Sequence, residues 1–333
     1  MHVLVVTSMY PSASSPWLGA FLPDQVHGLQ AAGVDVDLLV IDPRKTRLDY
    51  ALKVAPLVRK LRSRHYDLVH THHTYSLLAV GLARRLARLS VPIVLTNHEA
   101  EITDTEHQTR TWHPTSYLRH SLALKRFAAG RADFIILVSS RLAAVVPPGV
   151  GYEIIPCGVD LGKFKPLDRR ACRERLGIPS DAKVVFFSGR AGAGYKRFSL
   201  AQATFDLVRR RAPGALLVTA GDIRYDDMPL YFNAADAVLQ TSFCEASPAV
   251  VKEALACEVP VVSTDAGDTK EVVDGVPYCF VCRPDSSELA DRVLDCIGQR
   301  AVGGRERLLA QRLGLDQVAA RMIDVYRKLC EDA

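Results

Sequence analysis

Short runs of apolar, largely β-branched residues alternate with longer stretches of helical periodicity from one end of the chain to the other. A first series predicts strands at His2–Val6, Val36–Val40, Leu68–His70, Ile93–Thr96, Phe134–Val138 and Glu153–Ile155. A second predicts Val184–Ser188, Ala215–Thr219, Ala237–Gln240, Val259–Ser263 and Pro277–Val281. Unbroken apolar runs such as Phe134-Ile135-Ile136-Leu137-Val138 suit strands covered on both faces. Helical patterns lie between them at Leu22–Ala32, Leu77–Leu89, Ser116–Ala129 and Ser199–Arg211. This alternation predicts an α/β chain with parallel sheets joined by right-handed crossovers.

The alternation breaks once. Pro156-Cys157-Gly158-Val159-Asp160, followed by Lys163-Phe164-Lys165-Pro166, punctuates the chain before a fresh α/β series begins. At 333 residues the chain has room for about two domains. Two doubly wound, Rossmann-like domains are expected, over residues 1–160 and 161–314. Residues 315–333 are helical and apolar at Val318, Met322, Val325, Tyr326 and Leu329, as for a helix packing back across the junction.

A composition 48% hydrophobic and 24% charged excludes disorder, collagen-like repeats and coiled coil. The net charge of +5 is spread along the chain, so nucleic acid is not an expected partner. Eight cysteines are too few for a disulfide scaffold and fit free thiols in a reducing cytoplasm. Cys279 and Cys282 lack a second C-x-x-C, and Tyr278–Cys282 reads as a strand that would turn them to opposite faces. No apolar run approaches the roughly 18–20 residues of a bilayer span. Met1–Val6 reads as the first buried strand and not as a leader.

In open α/β sheets ligands bind beyond the carboxyl ends of the strands, so the loops after strands are where chemistry belongs. The most informative runs from Thr241 to Ala256. Ser247-Pro248 predicts a helix start with Ser as N-cap and Pro at the first position, a terminus that attracts anions. Glu245 precedes that terminus and Glu253 follows it by about two turns. Two carboxylates beside an anion site suit a ligand that also brings hydroxyls, as a sugar nucleotide does; a capping residue and a solvated helix face would be the plainer reading. A second loop, Ser188–Arg197, flanks glycines with Arg190 and Lys196 and suits a phosphate, although Arg197 stands where a Walker A loop or a G-x-G-x-x-G fingerprint needs another residue. Gly19 in the loop Ser8–Phe21 could let a ligand lie against the backbone. His98 in Thr96–Glu101 could hydrogen-bond a substrate or exchange a proton, with Ile102 where a second zinc-binding His would stand. His70, His72 and His73 lack an accompanying carboxylate and read as polar strand-end residues, so no metal site is expected.

With these loops in order, the chain resembles the retaining, nucleotide-sugar-dependent glycosyltransferases of family four, and most of all the teichuronic-acid-type bacterial enzymes. The resemblance rests on Val5–Pro11 with Gly19, Tyr66–His72, Ile154–Asp160 running on to Pro166, and above all Tyr231–Asp268, which holds an E-x7-E signature as Glu245 and Glu253. It implies the GT-B fold, two Rossmann-like domains facing each other across a cleft, an N-terminal one for the acceptor and a C-terminal one for the donor, with closure excluding water. It implies that Glu253 binds ribose hydroxyls, that Glu245 contacts the transferred sugar, and that backbone N–H groups around Ala246, Ser247 and Ala249 hold sugar and diphosphate. Arg190 and Lys196 would neutralise the diphosphate, Gly19 would lie close to it, and His98 would face the donor sugar. The family needs no metal and no cofactor beyond its co-substrate, with a UDP-sugar the foremost donor.

The chain departs from the family pattern in three places. Arg190 and Lys196 are one residue further apart than usual, Ala246 replaces a glycine, and the chain runs almost directly from Gly221-Asp222 to Met228-Pro229-Leu230-Tyr231, where relatives carry an extra helix and strand. The base preference of the donor is therefore open. A sugar-nucleotide epimerase and a sugar-nucleotide-binding protein without turnover remain alternatives. The acceptor and the oligomeric state are not legible. Arg44, Lys45, Arg47, Lys53, Arg59, Lys60, Arg62 and Arg64 fit either a solvated helix face or peripheral contact of a cytoplasmic enzyme with the inner face of a membrane.

Overall fold

The computed structural model describes residues 1–13, 15–46, 48–99, 121–187, 189, 194–221 and 223–331. Its contacts divide the chain into two units, Met1–Pro156 with Leu315–Ala333, and Cys157–Gly314. The division falls a few residues before the expected one because Val159 and Phe164 already belong to the core of the second unit. The Val159 N–H donates to the carbonyl of Leu313 at 2.9 Å, joining the start of that unit to its end.

In the first unit, β1 (His2–Thr7), β2 (Asp35–Val40), β3 (Leu68–His72), β4 (Ile93–Asn97), β5 (Phe134–Leu137) and β6 (Gly151–Ile154) form one sheet in the order β2-β1-β3-β4-β5-β6. Every pairing is parallel. The helix Leu22–Ala31 packs beside the terminal helix Leu315–Glu331. Val318, Met322, Val325 and Tyr326 of the latter close over Val3, Val5, Leu68 and Val94 of the sheet. Right-handed crossovers carry the helices Val54–Ser63, Thr74–Ala87 and Leu122–Ala129 to the opposite face, where they lie side by side.

The second unit repeats the scheme with β7 (Val184–Phe187), β8 (Leu216–Thr219), β9 (Ala237–Gln240), β10 (Val261–Thr264) and β11 (Phe280–Cys282), in the order β11-β10-β9-β7-β8 and again parallel throughout. The chain thus has two Rossmann-like parallel-sheet units. Adjacent residues of β7 show why its strands read as unbroken apolar runs. Phe186 packs with Phe164, Phe232 and Leu255 on one side, while Phe187 packs with Phe205, Val208 and Leu289 on the other. The strand β11 is shorter than the sequence suggests, because Tyr278 takes a left-handed backbone (φ 57°) and cannot extend it.

Beneath the amino ends of β7 and β9 lies a buried charge cluster. Asp236 accepts from Arg173 Nη2 at 2.9 Å, Arg169 Nη1 at 2.9 Å and the Val184 N–H at 2.7 Å. Arg173 also donates to the carbonyls of Ala234 and Ser180. Removing the carboxylate would strand two guanidinium groups out of water, which in comparable buried pairs costs about 3–5 kcal/mol. Asp236→Ala is therefore expected to lower the unfolding free energy of the second unit, read from urea melts, by an amount in that range, and a change below about 1 kcal/mol would show that the cluster is solvated.

Candidate functional site

At the carboxyl edge of the first sheet the loop after β1 folds back on itself. Thr7 Oγ1 accepts from the Met9 N–H at 3.0 Å, and Gly19, in a left-handed conformation (φ 60°), lies so close to Met9 that a Cβ there would sit 2.4 Å from its carbonyl oxygen. The structure thus gives Gly19 a structural cause within the loop.

The parallel register of β3 and β4 pairs His72 with Thr96, two residues before His98. The imidazoles of His72 and His98 stack at 18° with centroids 5.4 Å apart, and His72 Nδ1 lies 3.1 Å from His98 Nε2. Phe21 covers His98 at 5.3 Å. Behind them His70 stacks on His72 at 4.3 Å and is held by Thr96 Oγ1 and the Tyr326 hydroxyl, each at 2.7 Å. Burial, with His98 nearby, pushes His70 down to about 3; burial and the His73 side chain push His98 down to about 3 against the pull of Glu99. His72 is likewise depressed well below its ordinary value by burial and by its two neighbours. All three are neutral at pH 7, so His98 offers a hydrogen bond and not a mobile proton.

The residue that fixes this loop is Glu99, which the sequence reading left without a role. It is buried, accepts from the Thr74 N–H at 2.7 Å at the start of the helix Thr74–Ala87, and pairs with the buried Lys125 at 2.8 Å. Burial opposes its charge, but His73, Lys125 and the Thr74 N–H hold the carboxyl at about 2. A carboxylate at a helix start satisfies free N–H groups and the dipole together.

In the second unit the loop after β9 and the turn Gly194–Lys196 are stitched together. Thr241 Oγ1 donates to the Lys196 carbonyl at 2.7 Å, and the Phe243 N–H to the Tyr195 carbonyl at 3.1 Å. Lys196 Nζ then reaches Glu245 Oε1 at 2.5 Å, and Ser242 Oγ donates to the same oxygen at 3.0 Å. Burial alone would lower the Lys196 ammonium; Glu245, with Glu253 adding to it, holds it above its ordinary value. A Cβ on Gly189 would fall 3.0 Å from Lys196 Cβ and 2.7 Å from the Phe187 ring, so this glycine makes room for the lysine. Arg190 lies outside the described residues.

The helix Ala249–Ala256 begins one residue later than expected. Pro248 is its N-cap, and Ser247 is drawn aside: its Oγ donates to Asp268 Oδ2 at 2.7 Å and accepts from the wholly buried Lys252, which pairs with Asp268 at 2.9 Å. Gly267 (φ 61°) lies against Ala246, where a Cβ would sit 2.7 Å from the carbonyl oxygen. Ala246, Ser247 and Ala249 are thus clamped around the helix start. Glu253, nearly buried on that helix, accepts from the Tyr225 hydroxyl at 2.8 Å. Tyr225 comes from the shortened segment and was not singled out in the sequence. Among the described residues no group of three His, Cys, Asp or Glu side chains could hold a metal ion.

The family model for Glycosyltransferase Family 4 matches residues 2–163, and that for Glycosyl transferases group 1 matches residues 191–299. A D-inositol 3-phosphate glycosyltransferase from Xylanimonas cellulosilytica is 30% identical over 308 residues, covering 78% of this chain and 72% of its own. The chain belongs to glycosyltransferase family 4. It is also similar to the putative teichuronic acid biosynthesis glycosyltransferase TuaC of Bacillus subtilis, 24% identical across 88% of both chains. The Anabaena HepE structure in complex with UDP-glucose superposes with a TM-score of 0.74 at 20% identity, covering 98% of this chain and 100% of that one. The fold class is GT-B, and the protein is an enzyme that transfers a sugar.

The histidine stack makes stability depend on pH. An imidazole depressed to about 3 in the folded state stays neutral there while the unfolded chain takes up its proton near 6.5. Stability is full above about 6.5 and falls as pH drops toward 3, by about 1.4 kcal/mol per pH unit for each such group. Calorimetry between pH 7 and 4 is expected to show this slope for His70, His72 and His98 together, and His70→Gln to lessen it. A profile that stays flat to pH 5 would mean that the stack is hydrated.

Proposed function

We propose that this enzyme is a retaining, metal-independent glycosyltransferase that moves a sugar from a UDP-sugar to an acceptor hydroxyl. The reading is carried by one observation: a half-buried lysine and two carboxylates surround the start of a single clamped helix in the second unit. A helix start and an ammonium draw a diphosphate, while the carboxylates find their donors in the hydroxyls of ribose and sugar. The HepE complex with UDP-glucose supports uracil as the base.

Each residue then takes a role its surroundings suit. Glu253 exchanges the Tyr225 hydroxyl for the ribose hydroxyls. Both contacts of Glu245 fall on one oxygen, and the other serves the transferred sugar. Lys196 and Arg190 balance the negative charge that grows on the departing diphosphate, which is work that a metal ion would otherwise do. Backbone N–H groups around Ala246, Ser247 and Ala249 complete the cradle, and Gly19 keeps the first loop close to its own backbone. His98 meets a sugar hydroxyl as a neutral imidazole. Among the described residues the site's carboxylates are engaged, Glu245 by Lys196 and Ser242 and Glu253 by Tyr225, so the acceptor attacks from the face the diphosphate leaves, and configuration is retained. The first unit receives the acceptor. The enzyme works in the cytoplasm, with peripheral contact to the inner face of a membrane through its basic first unit.

The test is a thermal titration with UDP, GDP, ADP and dTDP in the presence of a chelator. UDP at a hundredfold over its Kd should raise the transition by about 5–10 °C, the others less, and Glu253→Ala should abolish the rise. No rise with any diphosphate would overturn the donor site. Proton spectra of the product should show the anomeric configuration of the donor, and the opposite configuration would overturn retention.

A further inference from the structure

The three helices Val54–Ser63, Thr74–Ala87 and Leu122–Ala129, side by side on one face of the first sheet, contain no aspartate or glutamate but seven lysines and arginines. The helix Leu315–Glu331, on the other face, carries Asp316, Asp324 and Glu331. The outer surface of the acid-free layer and its edges also bear large apolar side chains. Leu52, Leu82, Leu86, Leu89 and Phe127 are each between 42% and 63% exposed. Leu82 and Leu86 lie one turn apart on the helix Thr74–Ala87, and Leu89 follows just beyond its left-handed cap at Arg88. Beside them a shallow hollow of about 870 Å³ is lined by Val54, Ala55, Val58, Arg59, Arg62 and Leu86, among others.

Charges on this layer fall into two groups. Lys60 pairs with Asp37, Arg84 with Asp133 and Lys125 with Glu99. Lys53, Arg59, Arg62, Arg85 and Arg88 have no carboxylate at ion-pair distance among the described residues. The Arg131 guanidinium sits 4.1 Å over the exposed Phe127 ring. Uncompensated cations interleaved with bare leucines match a surface that is anionic outside and apolar just beneath. A two-fold contact with a second copy through this face would bring two cationic, acid-free helix layers together. Aliphatic leucines offer nucleic acid no stacking face.

We propose that this face docks on an anionic phospholipid bilayer, with Leu82, Leu86 and Phe127 entering the acyl boundary while Arg59, Arg85 and Arg88 meet headgroup phosphates. The proposal rests on the peripheral placement given above and adds to it the face and the lipid class.

The test is flotation of the full chain with vesicles of phosphatidylcholine, alone or mixed with phosphatidylglycerol. The chain should float with the mixed vesicles, less so as salt rises, and hardly at all with phosphatidylcholine alone. Arg85→Gln with Arg88→Gln should weaken partition by about 25-fold, at roughly fivefold per cation near a charged surface. Leu82→Gln with Leu86→Gln should weaken it as well. Unchanged circular dichroism and an unchanged UDP shift would show that both variants keep their fold and donor site. Variants that float like the parent would overturn this face while leaving the peripheral placement standing. A parent chain that fails to float, or that floats equally with both vesicles, would overturn face and lipid class together, leaving the glycosyl-transfer reading to its own titration.

Discussion

Both sheets are covered on two sides, and this double burial governs where everything polar can go. A strand such as β7, with Phe186 packed one way and Phe187 the other, has no wet face on which to carry a working side chain. Polar chemistry is displaced to the strand ends. At the carboxyl edges it collects in the loops that carry His98, Glu245 and Ser247, and at an amino edge it forms the structural cluster around Asp236. The same constraint explains why these buried carboxylates arrive with a cation: Glu99 with Lys125, Asp268 with Lys252, Asp236 with Arg173.

These buried pairs are less a source of net stability than a means of holding backbone in one arrangement. Glu99 ties the loop after β4 to the start of the helix that follows β3. Lys252 and Asp268 hold Ser247 away from the helix N-terminus, so that Pro248 takes the capping position and Gly267 can press against Ala246. The Lys196–Glu245 pair differs in kind. It joins two loops that both belong to the candidate donor site, and under the proposed function both of its members also meet the ligand.

Much of this architecture was legible in the sequence, and the reasons are local. Buried parallel strands leave apolar runs, so the eleven strands among the described residues could be located from the order of apolar and polar residues. The E-x7-E spacing marked Glu245 and Glu253 because a helix of two turns keeps them near one terminus. Side-chain partners chosen across long separations left no such trace. Nothing near Glu99 in the sequence announces Lys125, and nothing near Glu253 announces Tyr225. Ser247-Pro248 looked like an ordinary cap because propensity cannot register the competing pull of Asp268, more than five turns of chain away in sequence. Nor does the sequence announce the close approach of Gly19 to Met9 or of Gly189 to Phe187 and Lys196.

The terminal helix has a consequence for how the chain is made. Tyr326 and Met322 close the hydrophobic face formed by Val3, Val5 and Leu68, yet they leave the ribosome after the whole of Cys157–Gly314. At about 5–20 residues per second, roughly 10–30 s pass during which one side of the first sheet is covered only in part, by the helix Leu22–Ala31. The second unit, continuous in the chain, can finish folding in that interval while the first waits for its last piece. A nascent chain of this kind is exposed to premature association through the earliest part synthesised, and truncation near the end removes cover from strands laid down at the beginning.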